Sequence, residues 1–170
     1  AEAMSVFAHV NGEDGGRFAL TGVGDVNTYA LFAETNQSIN DPAGRAGFIV
    51  PTGIATDDST KAFFASLPER RRLARLFDFE NRKKVFPAVD SRIKFCLLTL
   101  SGGDLGEEHR AQFVFFAHDV TELQDKERQI ELSREDFLRI NPNTKTAPIF
   151  RSRRDAEITR KIYERVPVLI

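Results

Sequence analysis

The fold of this chain is decided by a stretch that opens with Gly-Arg-Ala-Gly-Phe-Ile-Val-Pro-Thr (Gly44–Thr52) and closes with Ile-Lys-Phe-Cys-Leu-Leu-Thr-Leu (Ile93–Leu100). Leu73–Glu80, between them, is a third apolar run of strand length. A helix-length segment joins the first run to the second, and a short basic segment joins the second to the third. This order predicts a layered α/β fold in which Gly47–Val50, Leu73–Glu80 and Ile93–Leu100 share one sheet.

Two further strands are predicted outside this stretch. Gln112–Ala117 (Gln-Phe-Val-Phe-Phe-Ala) follows a turn at Gly102-Gly103, so an antiparallel hairpin with the third strand is expected. Gln129–Leu132 is a brief additional strand. Gly47–Val50 has little polar alternation, which is typical of a strand covered on both faces. A sheet of this size leaves an unpaired edge, and self-association through that edge is expected.

Helix signals flank the strands. Asp25 is predicted to cap a first helix, Ser133 to cap a short helix through Ile140, and Asp155–Arg165 to form the last helix. In the first and last helices, apolar residues at helical spacing are expected to face the core. These residues are Tyr29, Phe32 and Ile39 in the first helix, and Ile158, Ile162 and Val166 in or beside the last.

The composition is that of an ordinary globular protein: 170 residues, 41% hydrophobic, 29% charged, with a net charge of −1. Overall charge therefore neither indicates nor excludes a nucleic-acid partner. Cys96 is the single cysteine, which excludes an internal disulfide, fits a reducing compartment and predicts a small buried hydrophobe. No apolar run reaches the roughly 18–20 residues of a membrane span, so no membrane partner is expected.

The opening Ala1-Glu2-Ala3-Met4 and the apolar end Pro167–Ile170 are read as the ends of a piece excised from a longer protein. The three histidines are scattered and no phosphate-binding glycine motif is present, so no metal site and no nucleotide loop are predicted. Asp78, Glu80 and Asp90 allow a magnesium nuclease as a distant alternative to ordinary acids at strand ends.

The basic residues are more informative, because they cluster at loop positions. Arg151, Arg153 and Arg154 form one cluster before the last helix. Candidates for contacts to DNA phosphates flank the second strand; they are Arg70, Arg71, Arg72, Arg82, Lys83 and Lys84. A solvated face is the commoner explanation of any single cluster. Phe86 stands beside the second group, where an aromatic ring suits base stacking, although taken alone it is equally suited to the core.

Several motifs then come in one order: Asn27–Glu34 (Asn-Thr-Tyr-Ala-Leu-Phe-Ala-Glu), Gly44–Pro51, Val85-Phe86-Pro87 ahead of an apolar strand, and Asn141–Thr144 with Pro148–Arg151. Together they resemble the second half of the methylase core, with its connector, in N6-adenine DNA methyltransferases of the gamma arrangement. The likeness is closest to restriction–modification and phage-defence proteins and covers roughly residues 17–167.

The resemblance implies a Rossmann-like α/β fold and a division of the chain. Residues 1–23 would be a loop or arm, residues 24–118 the distal half of the core, and residues 119–170 a connector toward a target-recognition region. It also implies a parent enzyme of the prokaryotic cytoplasm that transfers a methyl group from S-adenosylmethionine to adenine N6 in DNA. DNA and the remainder of the methyltransferase chain are the implied partners.

Three residues carry roles by this resemblance. Phe86 matches the aromatic that stacks on the flipped-out adenine, Phe32 matches a residue at the adenine end of the cofactor pocket, and Pro51 would end the central strand beside the site. Phe32 is also suited to the helix core.

The chain departs from the family in two motifs. It lacks the Asn/Asp-Pro-Pro-Tyr/Phe loop and the glycine-rich cofactor loop, so by itself it is expected to be inactive and to bind S-adenosylmethionine weakly. The alternative function is a non-catalytic module that binds nucleic acid or protein.

Overall fold

The computed structural model describes residues 17–24 and 26–166, so most of the predicted arm, the predicted cap Asp25 and Pro167–Ile170 lie outside the described residues. The helices are α1 (Thr28–Ile39), α2 (Gly53–Thr56), α3 (Lys61–Glu69), α4 (Arg134–Ile140) and α5 (Arg153–Arg165). The strands are β1 (Arg45–Pro51), β2 (Leu73–Glu80), β3 (Lys94–Ser101), β4 (Ala111–Ala117) and β5 (Ile130–Leu132). Short 3-10 turns cover Asp58–Thr60, Asn81–Lys83 and Val120–Gln124. None of the helices in the described ranges is long and apolar enough to cross a membrane.

The strands form one five-stranded mixed sheet in the order β1-β3-β2-β4-β5. β3 is antiparallel to both β1 and β2, β4 is parallel to β2, and β5 is antiparallel to β4. The prediction that the first three strands share a sheet is therefore confirmed. With helices flanking it, this mixed α/β sheet is compatible with part of a Rossmann-like fold. β1, β2 and β4 run in the same direction, and we call the sheet edge where they end the carboxyl edge.

The predicted hairpin between β3 and β4 is wrong. β4 pairs with β2 in parallel, with Phe77 opposite Val114. β1 and β2 occupy both sides of β3, so β3 has no free edge for a third partner. The turn after β3 packs closely on a neighbouring loop, because a Cβ built on Gly102 would lie 1.9 Å from the carbonyl oxygen of Asp41. A glycine there lets the chain leave β3 instead of folding back on it.

The prediction that β1 is covered on both faces is also wrong. β1 is an edge strand in which only Val50 is buried, while Ile49 is 54% exposed. Val50 faces the main core, which the helices cover, whereas Ile49 lies on the opposite face beside the half-buried Leu97. Among the strands of residues 17–24 and 26–166, β1 pairs only with β3, so its other side has no partner in that part of the chain, as expected for an open sheet edge. Self-association through this edge remains a prediction.

In α1, the predicted inward face is wrong. Phe32 is 68% exposed and Ile39 is exposed as well, while Tyr29 is half-buried. The helix instead buries the face that carries Ala30, Leu31, Ala33, Glu34 and Gln37. Small side chains let the helix approach the sheet closely, and the buried Glu34 carboxylate accepts hydrogen bonds from the Thr21 backbone N–H and hydroxyl.

The same error applies to α5, where Ile158, Ile162 and Val166 are exposed and Ala156 is buried. By contrast, the predicted cap of α4 is confirmed. Ser133 accepts a hydrogen bond from the Asp136 N–H, and the Asp136 carboxylate accepts one from the Ser133 N–H. Residues after position 118 contribute to the main core, among them Phe137, Ile140, Ala147, Phe150 and Ala156.

Candidate functional site

The candidate site lies at the carboxyl edge, where Thr52 follows β1, Asn81 follows β2 and His118 follows β4. Pro51 is the last residue of β1, which lies at the edge of the sheet, so the prediction that it ends the central strand is wrong. In open α/β sheets, ligands bind outside the carboxyl ends of the strands. Side chains on the connections at this edge are therefore the first to consider.

The connection from β2 to β3, residues 81–93, is organised by one side chain, and we call it the Asn81 loop. Asn81 is fully buried. Its Nδ2 donates to the carbonyl oxygens of Phe86 and Val89, each at 2.9 Å, and its Oδ1 accepts from the Phe86 N–H at 2.9 Å. Lys84 has φ 56°, in the left-handed region, and its Nζ donates to the Val89 carbonyl. The amide of Asn81 thus holds the backbone of Phe86 on both sides.

Phe86 is 36% exposed. Its ring packs edge-on against Phe95, with centroids 4.9 Å apart, and Phe95 stacks on Phe79 at 5.2 Å. A partly exposed ring in a strand-entry loop is what base stacking requires, whereas a core residue would be fully enclosed. The stacking role itself remains a prediction.

Glu80 is the shared anion of this edge. Its carboxylate pairs with Arg82 at 2.7 Å, with Lys94 at 3.3 Å and with His118 Nε2 at 3.3 Å. The hydrogen bond from Arg82 is the main cause that lowers the pKa of Glu80 below its ordinary value, and those from Lys94 and His118 add to it. Because these groups come from β2, β3 and the residues that follow β2 and β4, Glu80 ties the edge together.

The six cations predicted to contact DNA phosphates do not lie on one surface. Arg82, Lys83 and Lys84 lie in the Asn81 loop, whereas Arg70, Arg71 and Arg72 precede β2 at the opposite edge. β2 has 8 residues, and a strand rises roughly 3.3 Å per residue, so about 25 Å separates the two groups. The phosphate contacts stay a prediction for each group.

A cleft of about 370 Å³ opens at the carboxyl edge, on the helix side of the sheet, with Thr52, Asp78, Lys94 and Phe116 in its lining. The buried Asp78 carboxylate accepts hydrogen bonds from the Thr52 hydroxyl and, at 3.1 Å, from the Phe116 N–H. Phe116 has φ 56° at an irregularity in the β2–β4 pairing. Two cations lie over the ring of Phe116: Lys94 Nζ is 5.0 Å and Arg151 Cζ 5.6 Å from the ring centroid.

Sequence reasoning missed this cleft. The sequence marks Arg151 as part of a basic cluster, and Asp78 as an acid at a strand end or a member of the nuclease alternative. No pattern marks Phe116, because its position depends on the bulge that the parallel pairing with β2 creates. The pairing is non-local, so the sequence carries no short-range signal for it.

Phe32 lies exposed on α1 and lines none of the clefts described here. A smaller polar cleft near the start of α1 is lined instead by Tyr29 and Asp57. Burial, followed by the charge of Asp57, raises the pKa of the Tyr29 hydroxyl. The assignment of Phe32 to the cofactor pocket thus stays a prediction, and neither described cleft surrounds its side chain.

The acids of the nuclease alternative are held apart. Asp78 binds Thr52 and the Phe116 backbone, Glu80 binds its three cationic partners, and Asp90 pairs with Arg92. Over residues 17–24 and 26–166, no three His, Cys, Asp or Glu side chains are grouped to hold a metal ion. Cys96 is buried as predicted, and burial raises the pKa of its thiol to about 12.

No protein-family profile matches the chain, and no curated protein sequence matches it. Among solved structures, it is similar to the type IIG restriction endonuclease BpuSI, with a TM-score of 0.46 and 19% sequence identity. The alignment covers 68% of this chain and 13% of the endonuclease chain. The chain therefore spans a small part of that protein, and function has to be argued from its own residues.

Proposed function

We propose that this chain is part of a DNA-modifying enzyme, an adenine-specific methyltransferase, and that its carboxyl edge binds the target nucleotide. The observation that carries the proposal is the position and exposure of the Phe86 ring. Its ring is partly exposed, its backbone is fixed by Asn81, and basic side chains flank it. The sequence resemblance gives this same residue to the flipped adenine.

The role of these residues in the reaction is to hold the base. A base taken out of a duplex loses its stacking neighbours, and an aromatic ring replaces part of that energy. Phe95 and Phe79 support Phe86 from behind, so the ring cannot retreat when a base presses on it. Lys83 and Lys84 stand on the same loop, within reach of the flanking phosphates, and Lys83 Nζ also lies 3.8 Å from Asp119 and 3.9 Å from Glu122.

S-adenosylmethionine would supply the methyl group in the parent enzyme. The described residues do not fit this cofactor, because Phe32, the residue proposed to contact it, is exposed and lines neither of the two clefts. We therefore assign this chain no step that passes through the cofactor. Catalytic and cofactor loops belong, in this proposal, to the remainder of the parent chain.

A methyl-transfer assay tests the proposal. The full-length parent protein is incubated with DNA and S-adenosylmethionine that carries a labelled methyl group, and the modified nucleosides are identified. We expect N6-methyladenine from the parent and no incorporation from the 170-residue chain. Methylation of cytosine, no transfer by the parent, or transfer by the chain alone would contradict the proposal.

The second candidate function is a non-catalytic interaction module. The side of β1 that no described strand pairs, with Ile49 exposed beside it, favours this candidate, because an open strand edge with an exposed apolar side chain is a feature of a binding surface. In that case the parent would transfer no methyl group, and variants of β1 rather than of Phe86 would abolish its biological effect.

A further inference from the structure

We propose that Lys94 and Arg151, held over the ring of Phe116, form a binding site for a backbone phosphate of nucleic acid. The inference rests on the proposed function, since it takes nucleic acid as the ligand of the carboxyl edge. It assigns to this edge residues that the family resemblance leaves without a role. Three features carry it: a fixed ring, two cations on that ring and the place of both on the sheet.

The ring of Phe116 is fixed by its backbone. A bulky residue with φ 56° is uncommon, because the side chain is crowded there, and it persists only where its surroundings enforce it. Asp78 supplies the enforcement, since its buried carboxylate accepts the Phe116 N–H at 3.1 Å. The hydroxyl of Thr52 satisfies the other oxygen of Asp78. Strained backbone of this kind, held by a buried polar group, is found at ligand-binding positions.

Two cations share this ring. Lys94 Nζ and Arg151 Cζ lie 5.0 and 5.6 Å from its centroid, within the range of cation–π attraction. Across the described part of the chain, no carboxylate lies within ion-pairing distance of Arg151. Lys94 shares the single carboxylate of Glu80 with Arg82 and His118.

Two positive groups gathered on one ring repel each other, and one shared carboxylate does not neutralise them. An anion bound at both would remove that repulsion. A phosphate offers several acceptor oxygens, so it can accept from the ammonium and from the guanidinium together.

The place of the site matches a nucleic-acid strand that also reaches Phe86. Lys94 and Phe95 are successive residues of β3, so their side chains point to opposite faces of the sheet. Phe86 packs on Phe95, and Phe116 packs under Lys94. The phosphate site and the stacking ring therefore lie on opposite faces of the sheet, beside the first two residues of β3 at the carboxyl edge. A nucleotide backbone crossing the carboxyl edge would meet both.

Salt-dependent binding tests the site. A fluorescently labelled single-stranded oligonucleotide is titrated with the 170-residue chain from low to physiological ionic strength. One phosphate contact to a single strand adds about 0.7 to the slope of log affinity against log salt. We expect Lys94→Gln and Arg151→Gln each to weaken binding about fivefold at moderate salt and to reduce that slope by up to about 0.7. The loss should not depend on the oligonucleotide sequence.

Arg45→Gln is the matched control. Arg45 is exposed at the amino end of β1, and no carboxylate of the described chain pairs with it. The substitution removes the same charge from the opposite edge, so it should leave the slope unchanged. An equal effect of all three substitutions would show a general charge effect and would overturn the site.

Phe116 is a positioning residue, and two substitutions test that role. Phe116→Leu keeps an apolar side chain but removes the ring face, so the slope should fall as it does for Arg151→Gln. Phe116→Tyr keeps the ring face and should retain the slope of the unsubstituted chain. A melting temperature is measured for each variant, and a slope that falls in both would refute the role of the ring.

Failure of the site and failure of the proposed function give different results. If Lys94→Gln and Arg151→Gln leave the slope intact, or if the unsubstituted chain shows no salt-dependent binding, the phosphate site is refuted. The proposed function still stands in that case if the parent makes N6-methyladenine. If the parent methylates no DNA but the two substitutions lower the slope and Arg45→Gln does not, the phosphate site stands without the methyltransferase.

Discussion

The basic segment at the amino end of β2, Arg70–Arg72, is paired with surface acids. Arg71 donates to Asp104 at 3.1 Å and lies 3.7 Å from Glu107. At the carboxyl end, Arg82 pairs with Glu80 and Lys83 lies 3.8 Å from Asp119, so acids pair with this segment too. Here, however, the buried Asn81 orders a whole loop around the exposed ring of Phe86. The two segments are alike in sequence, and each has one residue with positive φ, 52° at Arg71 and 56° at Lys84. They differ in the adjoining backbone: the first segment is a turn into β2, and the second belongs to an ordered loop that exposes the ring of Phe86.

This difference teaches that basic composition alone does not locate a binding surface. The amino-end segment, Arg70–Arg72, turns the chain into β2. The carboxyl-end segment, Arg82–Lys84, belongs to a loop that leaves the sheet where parallel strands end, which is where α/β proteins bind ligands. Four predictions sharpen or break this comparison.

The largest effect is expected for Asn81→Ala. The substitution leaves the Phe86 N–H and two carbonyls of the loop without their buried partner, so we expect a loss of about 2–4 kcal/mol in the free energy of unfolding. Denaturant unfolding measures it. Asn36→Ala, at a half-buried position on α1, should change stability by less than about 0.5 kcal/mol. Equal effects at the two positions would mean that the carboxyl end has no special organisation.

Phe86→Ala in the parent protein is expected to lower DNA methylation by the equivalent of about 1–3 kcal/mol, the range for one base–aromatic stack. Its cost in stability should be below the roughly 3–5 kcal/mol of a fully buried phenylalanine, for which Phe63→Ala is the comparison. The methylation rate and the melting temperature are measured together. Normal turnover in a folded Phe86→Ala protein would remove the ring from the site.

The third prediction compares the acid at each end of β2 through pH and salt. The pKa of Glu80 is lowered mainly by Arg82, and that of Asp104 mainly by the Gly106 N–H, followed by Arg71. A carboxylate whose pKa is lower in the folded than in the unfolded chain adds stability above its unfolded pKa, about 4. It loses that stability as pH falls through the folded value.

We therefore expect Glu80→Gln and Asp104→Asn to be destabilising near neutral pH, and each difference from the unsubstituted chain to shrink below about pH 4. The Glu80 side chain is only 14% exposed, so its effect should persist at high salt, whereas that of the exposed Asp104 should fade. Unfolding curves over pH and salt measure both. A difference that grows as pH falls would contradict the assigned ion pairs.

The smallest effect is expected for Arg70→Gln. Arg70 is exposed at the amino end of β2, so the substitution should change stability by less than about 0.5 kcal/mol. If the carboxyl edge, and not the Arg70–Arg72 segment, contacts the phosphates, nucleic-acid affinity should be unchanged. Lys84→Gln, its counterpart at the carboxyl end, should weaken binding. The titration of the labelled oligonucleotide described above checks both, and a larger loss for Arg70→Gln would reverse the comparison between the two ends.

The strands could be predicted from sequence because each is a local apolar run. β2 occupies Leu73–Glu80 as predicted, and β3 and β4 begin or end within one residue of expectation. The partner of β4 could not be predicted, since a hairpin is the local choice and the observed parallel pairing with β2 depends on which edges the other strands leave free. Local rules do not contain that information.

Helix faces were predicted wrongly for a different reason. Periodicity finds an apolar stripe such as Ile158–Ile162, but it does not say whether anything in the chain covers that stripe. In α1, the buried face carries the small residues Ala30 and Ala33. A large apolar side chain such as Phe32 predicts burial from sequence, but it is 68% exposed. Likewise Phe86 was visible beside its basic neighbours, whereas Asn81 looked like an ordinary loop residue.

The buried amide of Asn81 also bears on how fast and how selectively a ligand can be captured. Ordering a loop costs conformational entropy, and in this chain that cost falls on folding rather than on association. Under the proposed function, a base that reaches Phe86 meets a loop that is already ordered. The association rate is then set by diffusional encounter and electrostatic attraction, and not by closure of the loop. A base that fits the fixed ring poorly gains no affinity from rearrangement of the loop.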